Sequence, residues 1–580
     1  MNRFSFSLSS SILLFGLIFF QLNFIPAQQL NSNKSDKGET QSNSSGAFVF
    51  HVNNIILPMN NRGVIGDVSI PPYPAGGYFQ GKSFLFSSGF FMSGYTDTTL
   101  WANAVATASR IQDYLAGPVG ANPSDPKNII YVVDRIDPPF STSWQDWSDA
   151  VNQGAYFYDG DNDGIYNPVD KNSNGIWDLS EDMPDILGDR TAWCVYNDGV
   201  PDSLRRYNKV KPQGIEIRQT MFATNRIPQL SNVVFIRYTI VNKGTVKSVL
   251  DSVYFSAWAD IDLGDYTDDL TGCDTLLSSG YTYNDSSDGN YGMDPPAIFF
   301  NLIQGPKIYT GSNIDTAFNM KGFNRGKESQ IGYKNLWMTS FWNYVKHQTT
   351  NGEPQTQLIA NYYMKGYSSA GNLINPCTWF MGKVSGGVDC NNVNSKFMYS
   401  GDPVTNIGWI NSGTDDQRMM VNTGPFKLET GKPQDIIIAY TVGRGTDALN
   451  SISVARNITN YVFQEYRSNF GTITGVDDFS GPVIKNFSLS QNYPNPFNPE
   501  TRIQYSVVSP PAGEAGRQHV TLRVFDILGR EVATLVDEVK DAGIHHLPFS
   551  IVHFPLPSGV YFYQLRAGNF VETKKMVVIK

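Results

Sequence analysis

The residues best suited to chemistry in this chain lie between positions 159 and 181. Two acidic segments follow each other there on one spacing: Asp159, Asp161, Asp163, Gly164, Ile165, Asn167 and Asp170, then Asp170, Asn172, Asn174, Gly175, Ile176, Asp178 and Glu181. Each offers side-chain oxygens at positions 1, 3 and 5, a glycine at 6, a backbone carbonyl at 7, an Asn or Asp at 9 and a carboxylate at 12. A hard cation such as Ca²⁺ takes a cage of oxygen ligands, and the glycine permits the sharp turn inside it. Calcium is therefore the expected cofactor, with Asp170 serving both loops. The competing explanation is a polar turn whose Asp and Asn side chains bond their own backbone.

Because the two loops share a residue, the helices that separate paired EF-hands have no room. The arrangement resembles the concatenated calcium loops of thrombospondin type 3 repeats. A second acidic group, Asp260, Asp262, Asp265, Asp268 and Asp269, follows a predicted strand. Carboxylates so crowded repel unless a cation or arginines offset them, so it reads either as another metal site or as a solvated loop. Catalytic signatures are sparse. Between residues 47 and 480 the histidines are His51 and His347, with no HExxH, GxSxG or P-loop pattern. A polysaccharide hydrolase using an Asp/Glu pair remains the alternative to a non-enzymatic role. Trp144, Trp147 and Trp177, close to the loops, suit sugar stacking if exposed and a core if buried.

The elements that must position these residues read as β-structure. Charged residues make up 17% of the chain and aromatics 13%, with 52 Gly and 32 Pro, a mixture that favours sandwiches over helical bundles. Strands are expected at 47–52, 82–87, 232–241, 251–259 and 435–442, with 232–241 and 251–259 forming a hairpin about Asn242, Lys243 and Gly244. Residues 100–111 suit a strand or one helical face, and the strand is preferred. Leu449, Ile452, Ala455, Ile458, Val462, Tyr466 and Phe470 recur at helical spacing behind a cap at Thr446 or Asp447. A net charge of −9 without basic clusters in the body argues against nucleic acid as a partner. Of the four cysteines, Cys377 and Cys390 are the local pair expected to form a disulfide in an oxidising space, although three connectivities are open.

The N-terminus has the pattern of a signal peptide (1–27), followed by a polar leader (28–45) expected to be disordered. No later apolar run reaches membrane length, so no transmembrane segment is expected in the mature chain. The C-terminal stretch opens on Asn492, Tyr493, Pro494, Asn495, Pro496, Phe497, Asn498 and Pro499, where alternating prolines exclude a helix or a central strand. Short alternating strands follow, punctuated by Gly529 and Gly559 and ending in a basic run with Lys575. These spaced motifs resemble the C-terminal sorting domain of the type IX secretion system. They depart from it at Pro548, Phe549, Ser550 and Ile551, where the family has a Trp-Asp/Asn-Gly turn. The body likewise resembles large uncharacterised secreted proteins with this tail, which brings no activity with it.

The resemblance implies the translocon as partner, release outside the cell or attachment to surface lipopolysaccharide, and an extracellular or outer-membrane-surface location. Extracellular glycans are a further candidate partner. The expected fold is mainly β. It comprises an N-terminal β-rich body (46–230) with the calcium loops, an Ig-like or fibronectin-like sandwich (231–470) closed by a helix, a linker (471–486), and an Ig-like sandwich sorting domain (487–580). The expected function is that of a calcium-stabilised, non-enzymatic adhesion, structural or glycan-binding protein.

Overall fold

Strand Val233–Asn242 is buried at nearly every position, a pattern a strand tolerates only where both of its faces are covered. It lies inside an antiparallel sheet running Leu270–Asp274, Ser279–Tyr283, Ala297–Gln304, Gln434–Gly443, Val233–Asn242, Ile215–Ala223, Arg190–Asn197 and Leu115–Ala116, with Tyr131–Asp134 also paired to Arg190–Asn197. A second antiparallel sheet runs Ser340–Val345, Gln417–Glu429, Val249–Asp260, Ser87–Thr96 and Thr99–Val105. The computed structural model describes residues 46–106, 113–320, 327–346, 348–471, 487–492, 495–508, 517–541, 543–551, 556–568 and 570–579. The expected signal peptide and leader, residues 472–486 of the linker, His347, Tyr493 and Pro494 lie outside the described residues.

The two sheets face each other as a β-sandwich. Side chains alternate between strand faces, so Ile236 and Tyr238 of the first sheet enter one core with Phe90 and Phe255 of the second. The Tyr238 ring lies 5.3 Å from Phe90 and 5.6 Å from Phe255. The other face of the first sheet, through Phe222, Phe235, Phe299 and Ala439, packs on Ile452, Ala455, Val462 and Phe463 of a long helix. That helix, Ala448–Arg467, is capped by Asp447, whose side chain accepts from Asn450 N. Phe235 sits between Phe222 (5.0 Å) and Phe470 (5.2 Å). Phe235→Ala is expected to lower unfolding free energy by about 3–5 kcal/mol, because the stacked rings cannot close the space left behind; chemical denaturation measures it.

Two expectations need correction. Strands 232–241 and 251–259 do not form a hairpin: Val233–Asn242 pairs with Ile215–Ala223 and Gln434–Gly443, whereas Val249–Asp260 pairs with Gln417–Glu429 and Ser87–Thr96. Val233–Asn242 is buried on both faces nearly throughout and Val249–Asp260 over its second half, each takes the middle of its own sheet, and the turn at Gly244 crosses between sheets. The boundary expected at residue 230 falls inside the first sheet, whose neighbouring strands Ile215–Ala223 and Val233–Asn242 lie on either side of it. The ambiguous run at 100–111 is strand over Thr99–Val105, and residues 107–112 lie outside the described residues.

A helix that the sequence did not announce, Thr142–Asn152, buries Trp144, Trp147 and Ala150. These side chains join Tyr131, Val133, Tyr166, Met183, Trp193 and Val195 in a small core that seats residues 159–182 against the first sheet. Trp144 and Trp147 are thus not exposed platforms for sugar. Another short helix, Gln357–Met364, packs Tyr363 on Trp342 of the second sheet with ring centroids 4.8 Å apart.

The tail has its own core between a three-stranded sheet (Ser488–Leu489, Glu500–Val507, Gly543–Ser550) and a four-stranded one (Glu531–Asp541, Arg517–Phe525, Gly559–Ala567, Phe570–Val578). Pro548, Phe549 and Ser550 continue strand Gly543–Ser550, opposite Arg502, Thr501 and Glu500. The departure from the family turn is therefore read by the chain as more strand.

Candidate functional site

The two acidic loops fold on one plan. In the first, Asp159 Oδ1 accepts from Asp163 N (3.2 Å) and Oδ2 from Gly164 N (3.0 Å); in the second, Asp170 Oδ1 accepts from Asn174 N (3.1 Å) and Oδ2 from Gly175 N (2.6 Å). Asp161 Oδ1 accepts from Asp163 N as Asn172 Oδ1 does from Asn174 N. Asp163 and Asn174 receive the amides of Ile165 and Ile176 at 2.7 Å. Left-handed backbone recurs in step, at Asn162 and Gly164 and again at Ser173 and Gly175. Asn172 and Asn174 both donate to Asp178 Oδ2.

The loops are closed by neighbouring residues. Glu181, wholly buried, accepts from Lys171 N (2.7 Å) and Asp178 N (2.9 Å), positions 2 and 9 of the second loop. Asp182, also buried, accepts from Gly160 N (3.0 Å) and Asn167 N (2.8 Å), the same positions of the first. Asp170 therefore does not close the first loop, and the carboxylate oxygens that gather within 4.8 Å are those of Asp159, Asp161 and Asp182. A Cβ on Gly160 would lie 2.3 Å from Glu181 O, so only glycine lets the first loop press against that peptide. The acidic pair Glu181 and Asp182 was the available signal, since one carboxylate at position 12 leaves its neighbour without a task.

Burial raises the Asp182 carboxyl above its ordinary range, and Asp161 and Asp159 push it the same way against the amides that it accepts from. The Lys171 ammonium, 2.6 Å from Asp161 Oδ2, holds the Asp161 carboxyl below its ordinary range. Trp177, half-buried, donates Nε1 to Glu181 O (3.0 Å) and packs edge-on against Tyr158 at 5.4 Å. Gln145 of helix Thr142–Asn152 donates to Pro168 O (2.9 Å), tying the loops to the sandwich.

The acidic group at 260–269 is divided by the fold. Asp265 caps its own turn at Thr267, Asp268 accepts from Asn284, and buried Asp269 accepts from Leu263 N. Asp260 and Asp262 instead meet Asp416, from the start of a distant strand, with carboxylate oxygens within 4.8 Å of one another. Burial pushes Asp260 up to about 8 and Asp262 to about 6. His51 is shifted down, by burial and then by the Arg190 charge.

In the tail, the proline-rich entry lies along the last strand. Phe497 N donates to Val577 O (3.0 Å) and Phe497 O accepts from Ile579 N (3.1 Å), in parallel orientation. Asn495 Oδ1 accepts from Val577 N (2.8 Å) and its amide donates to the carbonyl of Lys575 (3.2 Å). Asn492 is buried, its backbone N donating to Tyr563 Oη (2.7 Å) and its amide to Thr501 Oγ1 (2.9 Å). The peptides preceding Pro496 and Pro499 are cis. Gly529 adopts φ +77° in a turn where Asp526 accepts from Leu528 N and Arg530 N. Gly559 opens the strand that supplies Tyr563.

A family model described as secretion system C-terminal sorting domain matches residues 491–580. The tail is a type IX secretion sorting domain. The sorting domain assigns the chain to export by that system, to the cell surface or beyond, with the secretion machinery as partner. No helix among the described residues is long and apolar enough to cross a membrane. No curated protein matches the chain. Among solved structures a polysaccharide lyase aligns at 7% identity and TM-score 0.19, over 63% of this chain. The aligned part spans 34% of that protein, about a third of its length, and likeness this slight carries no argument about activity.

Cys377 and Cys390 form a disulfide with a Cα separation of 5.1 Å, while Cys194 and Cys273 are buried thiols. Burial pushes the Cys194 thiol up to about 12, and Cys273 donates Sγ to Met398 O. Alkylation of the native chain is expected to label no thiol, and of the unfolded, unreduced chain only Cys194 and Cys273, as peptide mapping would read directly. Opening the disulfide should cost about 3 kcal/mol, the loop-closure entropy of so short a ring.

Proposed function

We propose that the chain is a calcium-stabilised, non-enzymatic structural or adhesive protein that works outside the cell after type IX export. The reading is carried by the repeated geometry of residues 159–182, in which two loops present acidic oxygens on one plan around buried Glu181 and Asp182. Asp159, Asp161, Asp163 and Asp182, with the Ile165 carbonyl, are the donor set for one ion. Asp170, Asn172, Asn174, Asp178 and Glu181, with the Ile176 carbonyl, are the set for the other. Oxygen donors alone suit Ca²⁺ rather than softer metals. Calcium would offset the mutual repulsion of these carboxylates and brace the insertion against the sandwich.

By its family's behaviour, the sorting domain is recognised by the translocon and removed, leaving the body released or attached to surface lipopolysaccharide. The test is a comparison of cells with and without the protein. Adhesion is expected to fall on deletion and on chelation of calcium, while the purified chain releases no reducing ends from a polysaccharide panel. Reducing-end release that an Asp or Glu substitution abolishes would transfer the function to a hydrolase.

A further inference from the structure

Strand Val249–Asp260 ends where Gln417–Glu429 begins, and their antiparallel register sets Asp260 opposite Arg418. Arg418 Nη2 lies 3.0 Å from Asp260 Oδ2, and Nη1 lies 2.6 Å from Asp416 Oδ1. Asp262, just past the strand end, brings a third carboxylate within 4.8 Å of the other two. One guanidinium faces three carboxylates, so net negative charge remains at a place where the Asp260 side chain is only 3% exposed.

With Oδ2 held by Arg418, Asp260 Oδ1 is buried and has no hydrogen-bond partner among the described residues. Buried polar atoms are almost always satisfied, and an orphaned carboxylate oxygen beside two more carboxylates points to a missing positive partner.

We propose that Asp260, Asp262 and Asp416 form a further cation site for a hard divalent ion such as Ca²⁺, oriented by Arg418. The all-oxygen donor set selects a hard ion over zinc or copper. A cation there would join the loop after Val249–Asp260 to the start of Gln417–Glu429, two segments far apart in the chain that share the end of the second sheet. The loop is already shaped for this, because Asp269 accepts from Leu263 N at 3.0 Å. The site is independent of residues 159–182 and holds whether or not those loops take calcium.

The test is calorimetric titration of the full chain with CaCl₂ in an Asp159→Asn/Asp170→Asn background, which disables the loops. One Ca²⁺ per chain is expected to bind that variant, and adding Asp262→Asn should weaken this binding by at least about tenfold, since affinity follows ligand charge. Asp416→Asn should do the same. Asp262 lies outside the strands, and melting in chelator verifies that each variant is folded. No binding by the loop-disabled chain, or binding indifferent to both Asp262→Asn and Asp416→Asn, would overturn the proposal. One Ca²⁺ bound by the parent and the loop-disabled chains alike would instead overturn calcium binding by the loops and leave this site standing.

Discussion

In a host with the type IX system, a chain lacking residues 487–580 is expected to accumulate in the periplasm, with the extracellular fraction at background on immunoblotting of fractionated cells. The sorting domain is a self-contained sandwich whose core draws on residues 489–578, so its removal should leave the body's two sheets and long helix intact. Retention would then reflect a lost address rather than a misfolded cargo. Point variants sharpen this. Asn492→Ala removes the amide that donates to Thr501 Oγ1 inside the domain, at an expected cost of about 0.5–1.5 kcal/mol for the lost hydrogen bond. Export should fall with the loss of that hydrogen bond while the body's melting temperature stays unchanged. Undiminished export of the truncated chain would remove the claim.

The second large effect concerns calcium. At a hundredfold excess over the dissociation constant, each ion bound only by the folded chain stabilises it by about 2.7 kcal/mol, so chelation should lower the melting temperature by several degrees. The variants should divide by loop. Asp182→Asn is expected to abolish binding to the first loop alone, because Asp182 closes only Gly160 and Asn167. Asp170→Ala should disable the second loop, whose turn it organises through Asn174 and Gly175. Calorimetry that lost both ions in Asp170→Ala would restore a shared ligand. Equal melting with and without chelator would return residues 159–182 to a plain polar turn.

Local chemistry was legible in the sequence wherever it was set by near neighbours. The long helix begins behind its cap Asp447, and the mainly β character of the body follows from its aromatic and β-branched runs. The acidic loops lie where their spacing put them, because an Asp that receives amides four and five residues ahead needs nothing from outside. What the sequence did not disclose depended on distant contacts. Two apolar strands in succession look like a hairpin until each proves to lie inside a different sheet. Asp416 joins Asp260 and Asp262 only through a strand pairing, and no local pattern marks it. Helix Thr142–Asn152 buries only Trp144, Trp147 and Ala150, too few apolar positions to mark a helix, and tryptophans beside acidic loops invite a reading as exposed platforms.

The proline-rich entry to the sorting domain also guards an edge. Strand Phe570–Val578 borders its sheet, and such a strand would offer unpaired amides and carbonyls to any other extended chain. Here the carbonyl of Lys575 is taken by the amides of Gln491 and Asn495, and the backbone of Val577 by Asn495 and Phe497. Pro496 and Pro499, on either side of Phe497, lack the donors with which that segment would recruit a further strand. That edge is therefore closed to a further strand by residues of the sorting motif itself.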